Sequence, residues 1–202
     1  MPRVSDEHLA ARRQQILDAA RRCFVRNGFH ATSMQDVISE AGLSVGAVYR
    51  YFSSKHELIS SIAESVSDGA DELFGAIVTA DPPPPLVDAV DQALAFVESQ
   101  MGPDGAFPLA VQVWAESLRD PQLADFVARM YGGFRTRFVT LARRTQQAGK
   151  LPPDADPEAV GAVLFGLIQG FALQRRLSAG PDRKTYLGGV RALLAAQSRT
   201  AD

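Results

Sequence analysis

Apolar residues recur along this chain at intervals of three and four, the spacing of one helix face. Alternating runs of Val, Ile and Thr that would mark strands do not occur. Glycines, prolines and capping residues cut the pattern into about nine segments, and the fold expected is all-α. The first helix spans about 6–27, with Ser5 as its N-cap, Gly28 as its stop, and Leu9, Ile16, Ala20, Cys23 and Phe24 along one face. Short helices follow at about 32–41, opened by a capping box at Thr32 and Gln35 and stopped at Gly42, and at about 45–51 after Ser44. A long helix opens on a second capping box, Ser54 to Glu57, and runs to about 80, where Asp81 and four successive prolines end it. Further helices are expected at about 86–101, 107–118, 121–148, 157–178 and 182–197, the eighth started by Asp156 as N-cap with Pro157 at its first position.

Charge sharpens this picture. The chain carries 21 Lys and Arg against 23 Asp and Glu. Residues 1–56 carry a balance of +3 and the remainder −5, so a basic head is attached to an acidic body, as suits a small nucleic-acid-reading domain joined to something else. One cysteine excludes an intrachain disulfide framework, and Cys23 with His8, His30 and His56 makes no metal-ligand pattern, so neither metal nor cofactor is expected. No paired carboxylates or nucleophile-base pattern points to an enzyme, and Cys23 lies on the packed face of the first helix. The N-terminus has no apolar stretch of secretory type and no unbroken apolar run approaches about 18 residues, so a cytoplasmic location away from membranes is expected.

Residues 32–52 are the informative stretch. Two short helices meet at Ala41-Gly42-Leu43, where the glycine permits a sharp turn. Val37 and Ile38 face inward from the first, and Val48 and Phe52 from the second. Val45, Gly46, Ala47, Tyr49, Arg50 and Tyr51 are left outward or sideways at the start of a helix, which suits presentation to a major groove. Tyr49 and Tyr51 can donate hydroxyls to phosphates, and Lys55 sits at a helix N-terminus that attracts them. An ordinary helical hairpin has the same bare pattern.

The landmarks Ile16-Leu17-Asp18-Ala19-Ala20, Phe24, Gly28-Phe29, Ala31-Thr32-Ser33, Val37-Ile38, Ala41-Gly42-Leu43-Ser44, Val45-Gly46-Ala47-Val48-Tyr49, Tyr51-Phe52 and Ser54-Lys55 resemble, in order and spacing, the DNA-binding region of TetR-family repressors. The resemblance implies a homodimer with a three-helix DNA-binding domain, placed here at 1–53. It further implies a larger helical domain at 54–202 that dimerises and binds a small effector. By position, Ser33, Gln35, Val45, Gly46, Ala47 and Tyr49 would meet bases or adjacent backbone of double-stranded DNA, Thr32, Tyr51 and Lys55 would hold phosphates, and Ser44 is a further DNA-binding candidate. Family members often carry Lys and Thr where this chain has Val45 and Ala47. Those positions offer only apolar contact, so direct readout shifts to Gln35, Tyr49 and Arg50, and Arg50 can equally anchor a phosphate.

In the body, Phe96, Met101, Phe107, Trp114, Met130, Tyr131, Phe134 and Gln169 are candidate walls of an apolar effector pocket or plain core. Gln112, Glu116 and Arg135 are further polar candidates. Two apolar stripes, Val160, Val163, Leu164, Leu167, Ile168 and Phe171 on one helix and Leu187, Val190 and Leu194 on the next, are read as a dimer surface, with completion of the protomer's own core as the alternative. Gly161, Gly166 and Gly170 would permit close helix approach there. The function expected is a ligand-released repressor. A DNA-binding activator or architectural protein without a ligand is its rival.

Overall fold

The computed structural model describes residues 6–102 and 105–196, and all regular structure among them is helical. Its elements are α1 (Asp6–Asn27), α2 (Met34–Ala41), α3 (Val45–Tyr49), α4 (Lys55–Thr79), α5 (Leu86–Ser99), α6 (Phe107–Ser117), α7 (Pro121–Gln147), α8 (Pro157–Leu177) and α9 (Arg183–Ala196). The expected Ser5 cap, and Gln197 at the end of the last helix, lie outside the described residues.

Two compact units form. The first takes in Met1–Asp68 and Pro103–Arg129, and the second Gly69–Gly102 and Met130–Asp202. This division by packing differs from the division by motif at 53/54, because α6 and the first turns of α4 and α7 pack with the helix-turn-helix. In the first unit, Ile16, Leu17, Ala20, Cys23 and Phe24 of α1 form a continuous stripe at helical spacing. They meet Val37 and Ile38 of α2, Val48 of α3, Phe52, then Leu58, Ile59 and Ile62 of α4, with Leu109 and Val113 of α6 and Leu123 of α7. Phe24 and Phe52 are fully buried, each contributing about 2–3 kcal/mol of apolar burial. The Cys23 thiol is enclosed here and burial pushes its pKa up, so it serves as a small apolar residue.

Local chemistry sets the helix ends. The α2 cap falls one residue later than Thr32: Ser33 accepts the Asp36 N–H at 3.1 Å, while the Asp36 carboxylate accepts the Ser33 N–H at 2.8 Å. At the start of α4 the box is split. Ser54 accepts from the Glu57 N–H, and Glu57 reaches back to Ser53. Asp156 caps α8 ahead of Pro157 as expected.

The second unit has its own core of Ile77, Ala89, Val90, Ala93, Leu94, Phe138, Leu141, Leu164, Ile168, Phe171, Leu187 and Val190. This divides the expected dimer stripes. Leu164, Ile168, Phe171, Leu187 and Val190 are buried within the protomer, Val160 and Leu167 are partly buried against the same core, and only Val163 and Leu194 stand exposed. The physical reason is that α8 is apolar around most of its circumference, so one side closes the core and another remains open. Gly161 serves the inner side: a Cβ there would lie 2.7 Å from the Val139 amide nitrogen, so its missing side chain lets α8 cross α7 backbone to backbone. Helix α8 has a further property that the absence of an unbroken apolar run does not reveal. By length and composition it is apolar enough to cross a membrane, and 28% of that window is buried. Gly166, Gln169 and Gly170 interrupt its apolar residues, which is why no unbroken run marked it.

Candidate nucleic-acid interface

The reading head is built outward from fixed turns. Gly42 adopts φ 65°, a left-handed conformation that a side chain disfavours. Its N–H donates to Ser39 O and that of Leu43 to Ile38 O, the double bond of a Schellman ending that turns the chain sharply. Ser44 then caps α3 by accepting the Ala47 N–H at 3.3 Å. Arg22 and Arg26 of α1 share the Glu40 carboxylate at 2.8 and 3.1 Å, tying α2 to α1 and holding that carboxyl below its usual range.

With Val48 and Phe52 anchored inside, α3 turns the expected residues outward. Val45 is 51% and Tyr49 48% exposed, Gly46, Arg50 and Ser44 are exposed, and Ala47 is half-buried. Among the described residues the Tyr49 and Arg50 side chains take no hydrogen bond or ion pair. Ser44 uses its hydroxyl only as an acceptor, so its proton remains available. On α2, Gln35 is exposed. Ser33 is exposed too, but its hydroxyl donates to Asp36 at 2.7 Å while accepting from the Asp36 N–H. These bonds from Ser33 hold the Asp36 carboxyl below its ordinary pKa.

Three expected phosphate holders sit differently. Thr32 is 1% exposed, and its single hydroxyl proton is shared between Gly28 O at 2.8 Å and Cys23 O at 3.2 Å. Its backbone N–H donates to Gly28 O as well, so Thr32 knits the turn after α1 and offers a phosphate nothing in this structure. Tyr51 is half-buried against the first core. Lys55 donates to Phe29 O at 2.9 Å and His30 O at 3.1 Å and lies 4.9 Å above the Phe29 ring, leaving one ammonium proton uncommitted.

The residues expected to line a pocket fall in both units. Phe107 and Trp114 belong to the first and stack edge to face at 5.7 Å. Phe96, Met101, Met130, Tyr131, Phe134 and Gln169 belong to the second and are half-buried. There Tyr131 and Phe134 gather around Phe165, at 5.3 and 6.3 Å, and the Arg137 guanidinium covers Phe134. Phe165 gave no distinguishing signal in the sequence because it sits on a helix that is apolar around most of its circumference. Gln112, a polar pocket candidate, is instead bonded to the Phe29 N–H at 3.1 Å. No group of three or more metal-binding side chains occurs among the described residues.

Against known proteins, residues 16–62 match the model of bacterial regulatory proteins of the tetR family, and residues 88–199 match the C-terminal domain of BetI-type transcriptional repressors. The chain belongs to the TetR family. It is 40% identical to the helix-turn-helix repressor AcnR of Corynebacterium diphtheriae, covering 90% of this chain and 89% of that one. It is 31% identical to the transcriptional regulator YfiR of Bacillus subtilis, covering 83% of each. Among solved structures it resembles Salmonella enterica GusR with a TM-score of 0.75 and 25% identity over 96% of this chain and 98% of that one. As a TetR-family member the chain is a DNA-binding helix-turn-helix transcriptional regulator, a class without enzymatic activity.

Proposed function

We propose that the chain is a homodimeric repressor that holds a roughly palindromic operator in double-stranded DNA with α3 and releases it on binding a small, largely apolar effector. The observation that carries the reading is the α3 surface, where Val45, Tyr49 and Arg50 are turned outward without partners on a scaffold fixed by Gly42, Val48 and Phe52. Gln35, Ser44, Gly46 and Ala47 complete the surface toward the bases, and Ser33, Tyr51 and Lys55 border it on the phosphate side. Val45 offers apolar contact to a thymine methyl, and Tyr49 and Arg50 supply the hydrogen-bond donors. Functionally, residues 1–53 are the reading head and 54–202 the responding body.

The dimer reading is supported by the outward apolar residues of the last two helices, Val163 and Leu177 on α8 and Leu193 and Leu194 on α9, which stand exposed among the described residues. The effector reading is supported by the half-buried aromatic group of Tyr131, Phe134 and Phe165 in the second unit. Helices α4 and α7 each begin in the first unit and end in the second, so a ligand with unequal affinity for two arrangements of the body has continuous helices through which to act.

Selection of bound fragments from a random DNA pool by the full chain tests the reading. Recovery of an inverted repeat with half-sites about 34 Å apart is expected, since a two-fold dimer presents its two reading helices one turn apart. Recovery of no preferred sequence would refute the operator. Val163→Glu with Leu193→Glu should convert the dimer to monomers in sedimentation analysis, and an unaltered dimer would move the interface elsewhere.

A further inference from the structure

We propose that Gln112 of α6 is a positioning residue for DNA binding, fixing the angle of the α1–α2 turn through the backbone amide of Phe29. The proposal rests on α3 being the DNA-reading helix. Helix α1 ends at Gly28 with φ 86°, and the Gly28 N–H returns to Phe24 O at 2.9 Å. In a Schellman ending the next amide would also return to the helix, as it does at Leu43 after α2. At Phe29 it does not. That amide donates to the Gln112 Oε1, 83 residues further along the chain, and the same oxygen lies 3.8 Å from where a Gly28 side chain would begin. The single-bond ending leaves the direction of the following residues open, and an acceptor outside the turn chooses it.

The residue so held is the junction of the head. Phe29 is buried against Phe24, its carbonyl accepts from Lys55, and its ring meets the His56 ring edge-on at 5.7 Å. His56 in turn bonds Asp120 at 2.7 Å. Asp120 is also the cap of α7, accepting from the Gln122 and Leu123 amides. The corner between α6 and α7 therefore grips the head twice, by Gln112 on the turn and by Asp120 on the first turn of α4. A leucine in place of Gln112 would fill similar volume, so the carboxamide is there for its acceptor oxygen. Displacement of α6 strips the Phe29 amide of its partner and lets the turn relax, carrying α2 and α3 with it.

The test uses the full-length protein and its selected operator, with affinity for random DNA measured at the same salt. Gln112→Leu should lower the ratio of operator to random binding about tenfold, the effect of one part-buried amide losing its acceptor. Gln112→Glu, which keeps an acceptor oxygen at the same reach, should restore most of that ratio. Hydrogen exchange at the Phe29 amide should quicken in the first variant and recover in the second. An unchanged ratio in Gln112→Leu, or no rescue by Gln112→Glu while thermal melting shows both variants folded, overturns the proposal and leaves the operator reading standing. A wild-type chain that selects no DNA sequence would refute both.

Discussion

Replacing Gly161 by alanine separates the two faces of α8 by experiment. The new Cβ would lie 2.7 Å from the Val139 nitrogen and 2.8 Å from its Cα, where ordinary contact begins near 3.4 Å. Both obstacles are backbone, so no rotamer change relieves the clash, and α8 must back away from α7 by a large fraction of an ångström. That movement loosens the packing of Phe138, Leu141, Leu164 and Ile168, all buried near the crossing. Overpacking of this kind costs about 1–3 kcal/mol. Against it stands the gain of about 1 kcal/mol from a helical Gly becoming Ala. The net expectation is a loss of up to about 2 kcal/mol, or roughly 4–8 °C in Tm for a chain of this size. Gly166→Ala is the paired control on the same helix. Within the protomer nothing lies within 4 Å of a Cβ there, so at concentrations too low for association only the helical gain applies and the protomer should be stabilised by about 0.5–1 kcal/mol. Denaturant melts at matched protomer concentration give the comparison, because the stability of an associating protein depends on concentration. Equal stability of the two variants would refute the argument that Gly161 sets the α7–α8 approach.

Thr32→Val keeps shape but removes the hydroxyl that bridges Gly28 O and Cys23 O. It should cost about 1–2 kcal/mol in a denaturant melt and leave the salt slope of DNA binding unchanged. A shallower salt slope would return Thr32 to phosphate contact. Asp36, Glu40, Glu57 and Asp120 all have pKa values held down by hydrogen bonds in the first unit, from Ser33, from Arg22 and Arg26, from Ser53 and from His56 respectively. Groups depressed on folding contribute stability above their unfolded values, about 4, and lose it as pH falls through the folded values. Acid titration by circular dichroism should therefore show wild type losing stability below about pH 4 more steeply than Asp120→Asn. Identical acid limbs would show that the His56 bond does not stabilise the carboxylate.

Most of the architecture was legible in the chain because its determinants are local. Helix ends followed from Gly28, Gly42, Asp156 and the prolines, whose effects act within a turn of themselves. The inward set of the head, Val37, Ile38, Val48 and Phe52, followed from helical spacing, and its outward set was then fixed by elimination. What the linear pattern leaves open is which polar side chains the turn after α1 takes up as hydrogen-bond partners. Thr32 and Lys55 look like free donors in a linear reading, and the turn at Gly28 to His30 uses their hydrogen bonds. Gln112 looks like a pocket group until Phe29 is found against it.

Spacing determined that this protein is helical and that a short helix at Val45–Tyr49 faces outward from a glycine-turned hairpin, and glycines, prolines and capping residues determined where most helices start and stop. Tertiary structure alone decided which apolar side of α8 is core, which polar side chains are consumed by backbone amides and carbonyls, and that α6 belongs to the same packed unit as the head. Periodicity reports that a surface needs covering, and hydrogen-bonding chemistry that a group needs a partner. Which neighbour meets either need is settled only when segments distant in the chain are brought together.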